Sequence, residues 1–173
     1  MPQERWIPIP GYPEYLISDL GRVYNRRTES VMADSRTLQG DRKVTLSSRG
    51  ERVTRSVRVL VAEAFVAKPP TPPAAHKSAI PNTVIVLDNN QANCASYNLA
   101  WRPRWFAHKY ARQFQQSHPE LYYFQPTRNL RTGEVHANIV AAATDEGLLF
   151  NDVYKSISTG MVVYPTNSTF VFE

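Results

Sequence analysis

The side chains in this sequence best suited to binding chemistry are its arginines, because a planar guanidinium can bind two oxygens of a phosphate or two acceptors on a base edge. Lysine and arginine number 20 against 15 aspartate and glutamate residues, which gives a net charge of +5. Residues 1–68 contain 12 basic and 8 acidic side chains, residues 69–116 contain 5 and 1, and residues 117–173 contain 3 and 6. We therefore expect any surface for a polyanion to lie in the first two thirds of the chain. An ordinary solvated face is the alternative.

A β-hairpin is predicted to hold many of these arginines. Residues 43–46 and 52–55 flank the sequence Ser-Arg-Gly-Glu at 48–51, where glycine can adopt a positive φ at least cost. A two-stranded ribbon can enter the major groove of DNA, and alternate residues on it would reach base edges. These side chains could instead only keep the outer face of the hairpin soluble. The candidate contacts on the hairpin and in the segment before it are Arg22, Arg26, Arg27, Arg42, Lys43, Arg49, Arg52 and Arg55.

A second candidate surface interleaves tryptophan with arginine over residues 101–105. Such a patch could follow a nucleic-acid backbone or stack on exposed bases. The same sequence is equally consistent with Trp101 and Trp105 in the core and only the arginines reaching phosphate. The candidate contacts here are Arg102, Arg104 and Arg112.

Hydrophobic periodicity predicts a mixture of strands and helices, and therefore an α+β fold. Two short strands are expected within residues 6–25, and further strands at 83–87, 121–124 and 169–172. Helices are expected at 57–65, 104–116, 139–146 and 150–158, with a proline-rich loop at 68–73. We divide the chain into three modules, at residues 1–56, 57–116 and 117–173.

The last two predicted helices, interrupted at Gly147, indicate a helix-turn-helix. The second of them offers Asn151 and Lys155 as candidate DNA contacts, because asparagine can pair bidentately with adenine. Three acidic residues in the same two helices would repel phosphates unless they face away. A protein partner for this acidic module is therefore the alternative.

Composition excludes several classes of protein. Cys94 is the single cysteine, which excludes an internal disulfide and a cysteine-based zinc site. No stretch approaches the roughly 20 apolar residues that a membrane span requires. Residues 1–10 lack an apolar core after a basic start, so we expect no signal peptide. These features predict a cytoplasmic protein with no membrane partner.

Four segments of the chain carry motifs that are informative as an ordered set. They are Trp6 with residues 9–12 (Ile-Pro-Gly-Tyr) and 21–24 (Gly-Arg-Val-Tyr), residues 57–65, residues 88–101 (Asp-Asn-Asn to Asn-Leu-Ala-Trp), and residues 133–172. In this order they resemble the N-terminal nuclease-associated module, the V-H-R-L-V-A-x-x-F helix, the D-G-N-x-x-N…N-L-R-W segment and the C-terminal helix-turn-helix module of phage HNH homing endonucleases. The resemblance implies a β-rich N-terminal module, a ββα-metal core and a helix-turn-helix flanked by short strands. It also implies double-stranded DNA as the partner.

The catalytic residues implied by this resemblance are missing from their expected positions. The family holds one divalent ion between an aspartate and an asparagine, with a neighbouring histidine as general base. Aligned without gaps from Asn98, the family's Asp-His pair falls on Ile85 and Val86, which can neither bind a cation nor accept a proton. The later metal-binding asparagine falls on Ala107, and the helix histidine falls on Arg58. We therefore expect no catalytic residue, no bound metal and no other cofactor.

A different alignment leaves an active site open. A three-residue deletion would place the Asp-His pair on Asp88 and Asn89, which supplies a carboxylate but no base. His108, directly after Ala107, offers an imidazole, whereas His76 in the proline-rich region is expected to be plain surface. An active enzyme would then use Mg²⁺ or Mn²⁺ with Asp88, Asn93, Asn98 and His108.

Three functional hypotheses follow from the sequence. The first is a phage-type DNA-binding protein, derived from a homing endonuclease and unable to hydrolyse DNA, with a regulatory or accessory role in the host cytoplasm. The second is an active, metal-dependent nicking endonuclease with a rearranged site. The third is a structural or interaction subunit of a larger phage complex.

Overall fold

The computed structural model describes residues 3–71 and 76–173, and these residues form two compact units of mixed α and β structure. The first unit contains described residues 3–71 and 81–102, and the second contains 76–80 and 103–173. Five α-helices and four small sheets are found within the described ranges. Residues 72–75, which include the end of the predicted proline-rich loop, lie outside them. No helix in the described part of the chain is long and apolar enough to cross a bilayer.

The first unit begins with an antiparallel sheet of four short strands. These are β1 (Trp6–Ile9), β2 (Tyr12–Ser18), β3 (Val23–Asn25) and β4 (Ser30–Val31), in that spatial order. Tyr15 and Ile17 of β2 and Val23 of β3 are buried, so one face of the sheet packs into the core. The turn between β2 and β3 contains Gly21 at φ +81°, where a Cβ would lie 3.0 Å from the Cβ of Cys94.

The predicted hairpin is confirmed. Strands β6 (Arg42–Ser48) and β7 (Glu51–Ser56) pair in register, and β5 (Ser35–Arg36) adds an edge to β6. The two turn residues, Arg49 and Gly50, have φ values of 51° and 85°, the left-handed pair that a tight two-residue hairpin turn requires. Because successive side chains alternate between faces, β6 buries one set of residues and exposes the other.

The rest of the first unit completes a core around one helix. Helix α1 (Val57–Phe65) has the predicted bounds and buries the face that includes Leu60 and Val61. Strands β8 (Thr83–Val86) and β9 (Leu99–Arg102) form a separate antiparallel pair, joined by a loop that ends in a short 3₁₀ turn. The indole Nε1 of Trp101 on β9 donates to the carbonyls of Ala62 (3.3 Å) and Val66 (3.1 Å), which ties this pair to α1.

The second unit combines four helices with a three-stranded sheet. The helices are α2 (Arg104–Gln113), α3 (Leu121–Phe124), α4 (Ile139–Glu146) and α5 (Phe150–Thr159). The strands are β10 (Thr127–Asn129), β11 (Val135–His136) and β12 (Phe170–Phe172), in the order β11-β10-β12. Its core includes Ile139, Leu148, Val153 and Phe170, all no more than 1% exposed.

Helix ends in the second unit have local causes. Asn138 accepts a hydrogen bond from the amide of Ala141 and caps α4, and Gly147 ends that helix in the left-handed conformation at φ 65°, as predicted. The strand predicted at 121–124 is wrong, because this segment is a single helical turn closed by three-residue backbone bonds such as that from Tyr122 to Pro119. Helix α2 ends at Gln113, three residues earlier than predicted, where the chain tightens into three-residue turns.

Candidate nucleic-acid interface

The loop between β8 and β9 is organised around the carboxylate of Asp88. Its Oδ1 accepts hydrogen bonds from the side-chain amide of Asn98 (2.9 Å) and the backbone amide of Asn90 (2.8 Å), and its Oδ2 accepts from the side-chain amide of Asn93 (2.8 Å). Partial burial opposes ionisation, but the bonds from Asn98 and Asn93 outweigh it and lower the pKa of the carboxyl. Three of the four residues of the possible active site therefore meet in one cluster.

Asn98 is the centre of this cluster and is used to close the loop. Its side chain is buried, and its amide donates to the carbonyl of Asn93 (2.9 Å) as well as to Asp88. Its amide oxygen accepts from the backbone amide of Asp88 (3.1 Å). The cluster thus satisfies the polar groups of an irregular loop, as buried polar groups require.

The positions expected to bind a metal do not offer ligands. Ile85 and Val86 are 4% and 3% exposed within β8 and pair with Ala100 and Leu99 of β9. The carboxylate of Asp88 accepts three N–H bonds, and the side chains of Asn93 and Asn98 turn their N–H groups, not their oxygens, toward it. Within residues 3–71 and 76–173, no three histidine, cysteine, aspartate or glutamate side chains form a metal-binding group. The apolar side chains of Ile85 and Val86 therefore do not fit the single-ion site of the resemblance at the positions aligned with it.

The other residues considered for the active site do not belong to the cluster around Asp88. Arg58, in place of the helix histidine, donates to the side chain of Gln91 and lies 3.4 Å from the carboxylate of Asp41. Ala107 and His108 are on α2 in the second unit, and the His108 side chain is exposed. The His76 ring, also in the second unit, is exposed and caps the short turn at Ser78.

The hairpin places its two central arginines on opposite faces of β7. Arg52 is exposed and pairs across the ladder with Ser47, on the face that also carries Lys43. Arg55 pairs with Val44 on the buried face, where its guanidinium binds the carboxylate of Glu63 on α1 at 3.0 Å. The alternation of a strand, together with the burial of Val44, gives these two arginines different environments.

A groove in the first unit lies beside the hairpin tip. It has a volume of about 1350 Å³ and is bordered by residues 11–15 of the β1–β2 turn and β2, the turn after β3, and residues 47–52. Arg27, Arg49 and Arg52 line it together with Glu14 and Glu51. Among the described residues, no carboxylate lies within 4.0 Å of these three guanidinium groups.

Three other candidate arginines of the first unit are engaged within the protein. Arg22 makes two hydrogen bonds to the carboxylate of Glu4. Arg42 binds the carboxylate of Asp34 and donates to the carbonyl of Gly21 (2.9 Å). Arg102 is 5% exposed and donates to the carbonyl of Trp101 (2.8 Å). Arg22 nevertheless remains exposed, as does Arg26.

The two tryptophans of the segment 101–105, whose burial the sequence did not decide, have different environments. Trp101 is 4% exposed and belongs to the core of the first unit. Trp105 is 44% exposed on α2, next to the exposed side chains of Arg104 and Arg112. Helix α2 contains no acidic residue.

The acidic residues of α4 are turned toward a buried histidine. The ring of His136, 2% exposed, lies 2.9 Å from the carboxylate of Asp145 and 3.5 Å from that of Glu146. On α5, Asn151 and Lys155 are both exposed, and the Asn151 side chain accepts a hydrogen bond from the hydroxyl of Tyr122 (3.0 Å). The candidate contacts of this module are therefore accessible.

Comparisons with known proteins find the same class of protein that the ordered sequence motifs resemble. Residues 4–53 match the NUMOD4 motif. The fold is similar to that of the HNH homing endonuclease I-HmuI, in a structure that describes DNA binding and cleavage by that enzyme, with a TM-score of 0.53 and 19% sequence identity. The match covers 98% of this chain and 98% of that chain. A search of curated proteins gives no match. The resemblance to HNH homing endonucleases is thus confirmed over nearly the whole chain at the level of the fold.

Proposed function

We propose that the chain is a DNA-binding protein that uses the scaffold of an HNH homing endonuclease and does not hydrolyse DNA. The NUMOD4 match and the similarity to I-HmuI over 98% of the chain carry the DNA-binding part of this proposal. The exposed cations of the hairpin and of α2 supply the charge that binding to a phosphate backbone needs. The biological role that fits best is regulatory or accessory, in a phage context.

The proposed loss of hydrolysis is supported by the side chains at the catalytic positions. Metal-assisted hydrolysis of a phosphodiester needs a cation to stabilise charge on the phosphate and a base to generate hydroxide. Ile85 and Val86 are buried and apolar, and the amide groups of Asn93 and Asn98 hold the Asp88 carboxylate in the loop. A scaffold of this kind can hold DNA without the groups that cut it.

The module assignment is part of the same proposal. We infer a NUMOD4-containing module at 1–56, a degenerate ββα core at 57–116 and a helix-turn-helix formed by α4 and α5 within 117–173. The contact of Glu146 with His136 of β11 supports DNA reading by α5, because it keeps this carboxylate 13% exposed, although Asp145 remains 61% exposed. The proposed contacts are the candidate cations of α2, α5, the hairpin and the turn before it that have no carboxylate partner among the described residues, with one exposed amide: Arg26, Arg27, Lys43, Arg49, Arg52, Arg104, Arg112, Asn151 and Lys155.

The DNA-binding part is tested by titrating fluorescent duplex DNA with the protein over a salt series. If phosphate contacts dominate, log affinity falls linearly with log salt concentration, with a slope of about −0.9 for each phosphate neutralised. A sequence-specific protein will also prefer one set of duplexes when a random pool is selected for binding. Absence of binding at low salt would contradict the proposal and favour a structural or interaction subunit.

An active nicking endonuclease is the second candidate, because Asp88, Asn93 and Asn98 do meet in one cluster with an ionised carboxylate. Supercoiled plasmid incubated with the protein and Mg²⁺ or Mn²⁺ separates the two candidates. We expect no relaxation above the level of a preparation of the Asp88→Ala variant. Metal-dependent nicking that disappears in both Asp88→Ala and His108→Ala would establish the rearranged enzyme.

A further inference from the structure

Helix α2 presents five adjacent exposed side chains on one face. Arg104, Trp105, His108, Lys109 and Arg112 are exposed, and at 100° per residue they fall within an arc of roughly 140°. The opposite side of the helix is buried through Phe106, Tyr110 and Gln113. The amphipathic pattern therefore fixes which side of α2 is available to a partner.

We call the surface formed by those five exposed residues the α2 face. It contains an aromatic ring and several basic side chains, and it contains no acidic residue. The ammonium of Lys109 lies over one face of the Trp105 ring, 5.3 Å from its centre, so a base would have to stack on the other face. The Phe106 ring packs edge-on against the indole at 5.7 Å. Among the described residues no carboxylate lies within 4.0 Å of the cationic groups of Arg104, Lys109 or Arg112. A partly exposed indole beside cations that have no carboxylate partner is suited to a base and its flanking phosphates.

The positive charge continues from α2 to the start of α5 within the second unit. A cleft of about 580 Å³ is lined by Lys109 and Arg112 of α2 and by Lys155 of α5, with Asp152 as the acidic residue in its wall. Three cations against one carboxylate leave the cleft positive, although the segment from 117 onward carries more acidic than basic residues. A phosphate backbone that crosses the α2 face could therefore continue along this cleft.

We propose that the α2 face binds a DNA strand with unpaired bases, with Trp105 stacked on one base and with Lys109, Arg112 and Lys155 binding phosphates. This inference rests on the proposed function and names the form of DNA bound at one of its surfaces. The occupant follows from the chemistry, because intact duplex offers phosphates but keeps base faces stacked within the helix. The Trp105 ring can therefore stack on a base only where the DNA is single-stranded, mismatched or locally unpaired.

The test compares Trp105→Ala with Trp105→Phe, which keeps an aromatic face. Binding is measured by fluorescence anisotropy on three DNAs of one sequence: a single strand, an intact duplex and a duplex with an unpaired bubble. We expect Trp105→Ala to weaken binding to the single strand and to the bubble by about 10-fold, since stacking one base contributes on the order of 1–3 kcal/mol. Trp105→Phe should stay within about threefold of the wild type, and intact duplex should bind all three proteins about equally.

The outcomes distinguish this inference from the proposed function. Equal affinity of wild type and Trp105→Ala for the bubble, with duplex binding intact, overturns the stacking role and leaves the proposed function standing. Equal loss on all three DNAs also overturns it, because the indole would then support the helix and not a base. Failure of the wild type to bind any of the three DNAs overturns both proposals. Circular dichroism of each variant verifies that α2 remains folded.

Discussion

At the scale of single residues, the polar side chains of the β8–β9 loop show how one set of residue types can serve two purposes. A carboxylate and amides are suitable ligands for Mg²⁺, but here the amides of Asn93 and Asn98 point their N–H groups at Asp88. The oxygen of the Asn98 amide is occupied by a backbone N–H. The cluster is thus arranged to stabilise a loop.

Replacing Asn98 with alanine should destabilise the protein more than the same change at Asn93. The Asn98 side chain is buried and takes part in three hydrogen bonds. The Asn93 side chain takes part in two, donating to Asp88 and accepting a long bond of 3.5 Å from the amide of Ala95. We expect Asn98→Ala to lower the free energy of unfolding by about 2–4 kcal/mol, and Asn93→Ala by about 1 kcal/mol. Urea unfolding followed by circular dichroism measures both values. Equal effects would show that the loop does not depend on Asn98.

The depressed pKa of Asp88 predicts an acid-sensitive contribution to stability. A carboxyl with a lower pKa in the folded state stabilises the fold above its unfolded pKa, near 3.8, and loses that contribution as pH falls through the folded value. Wild type should therefore lose more stability than Asp88→Asn between pH 5 and about pH 2. Urea midpoints of the two proteins across this range provide the measurement. Parallel pH profiles would exclude an ionised, hydrogen-bonded Asp88.

At the scale of elements, the hairpin determines which arginines can act outside the protein. Strand alternation puts Arg52 in solvent on the same face as Lys43 and puts Arg55 against α1. Arg52 and Arg55, three residues apart on one strand, therefore leave the hairpin from opposite faces.

Arg52→Ala should weaken duplex DNA binding, and Arg55→Ala serves as its matched control. Loss of one phosphate contact should reduce the slope of log affinity against log salt by about 1. Arg55→Ala should leave the slope unchanged, although loss of the exposed ion pair with Glu63 could reduce stability by up to about 1 kcal/mol. The measurement is anisotropy on one duplex at several salt concentrations. If Arg52→Ala and the wild type had equal slopes of log affinity against log salt, the Arg52 side chain would not contact a phosphate.

Local patterns predicted the elements well and the environments of long side chains poorly. The 3.6-residue period gave α1 its bounds, and Gly50 and Gly147 marked a turn and a helix end. Aromatic content at 121–124 suggested a strand, but a single turn held by three-residue backbone bonds forms there. Arg42, for example, donates a hydrogen bond to the carbonyl of Gly21, which lies 21 residues earlier in the chain. A contact between such distant residues cannot be predicted from a local sequence pattern.

The active-site positions illustrate the same limit. The alternative motif alignment grouped Asp88, Asn93 and Asn98 in one possible active site, and the structure brings their side chains into contact. The direction of each amide depends on which backbone groups the folded loop leaves to be satisfied. Likewise, burial of Trp101 and exposure of Trp105 follow from packing against α1 and from the phase of α2, which residue types alone do not specify.

At the scale of the whole molecule, the NUMOD4 residues and the segment that follows them share one hydrophobic core. Ile17 and Leu46 from residues 4–53 pack in the same cluster as Leu60, Val86 and Trp101. The turn at Gly21 lies directly against Cys94 of the β8–β9 loop. The first unit is therefore stabilised by both parts of the chain together.

A methyl group at Gly21 should destabilise this shared core more than one at Gly11. Both glycines have φ +81°, so an alanine would be similarly strained at either position, but a Cβ meets nothing within 4 Å at Gly11. At Gly21 it would lie 3.0 Å from the Cβ of Cys94 and 3.3 Å from its carbonyl oxygen. We expect Gly21→Ala to cost about 1–3 kcal/mol more than Gly11→Ala in urea unfolding. Equal costs would mean that the Cys94 loop yields without penalty.

The shared core also limits how such a protein can be rearranged by recombination. A crossover at the end of the NUMOD4 segment would transfer Ile17 and Leu46 without the helix and strands that cover them. Both products would then expose a hydrophobic surface to solvent. The smallest continuous segment that keeps this interior intact extends to Arg102, where the first unit ends. It also contains residues 76–80 of the second unit, so a junction beyond Arg102 preserves the first unit and removes this short segment from the second.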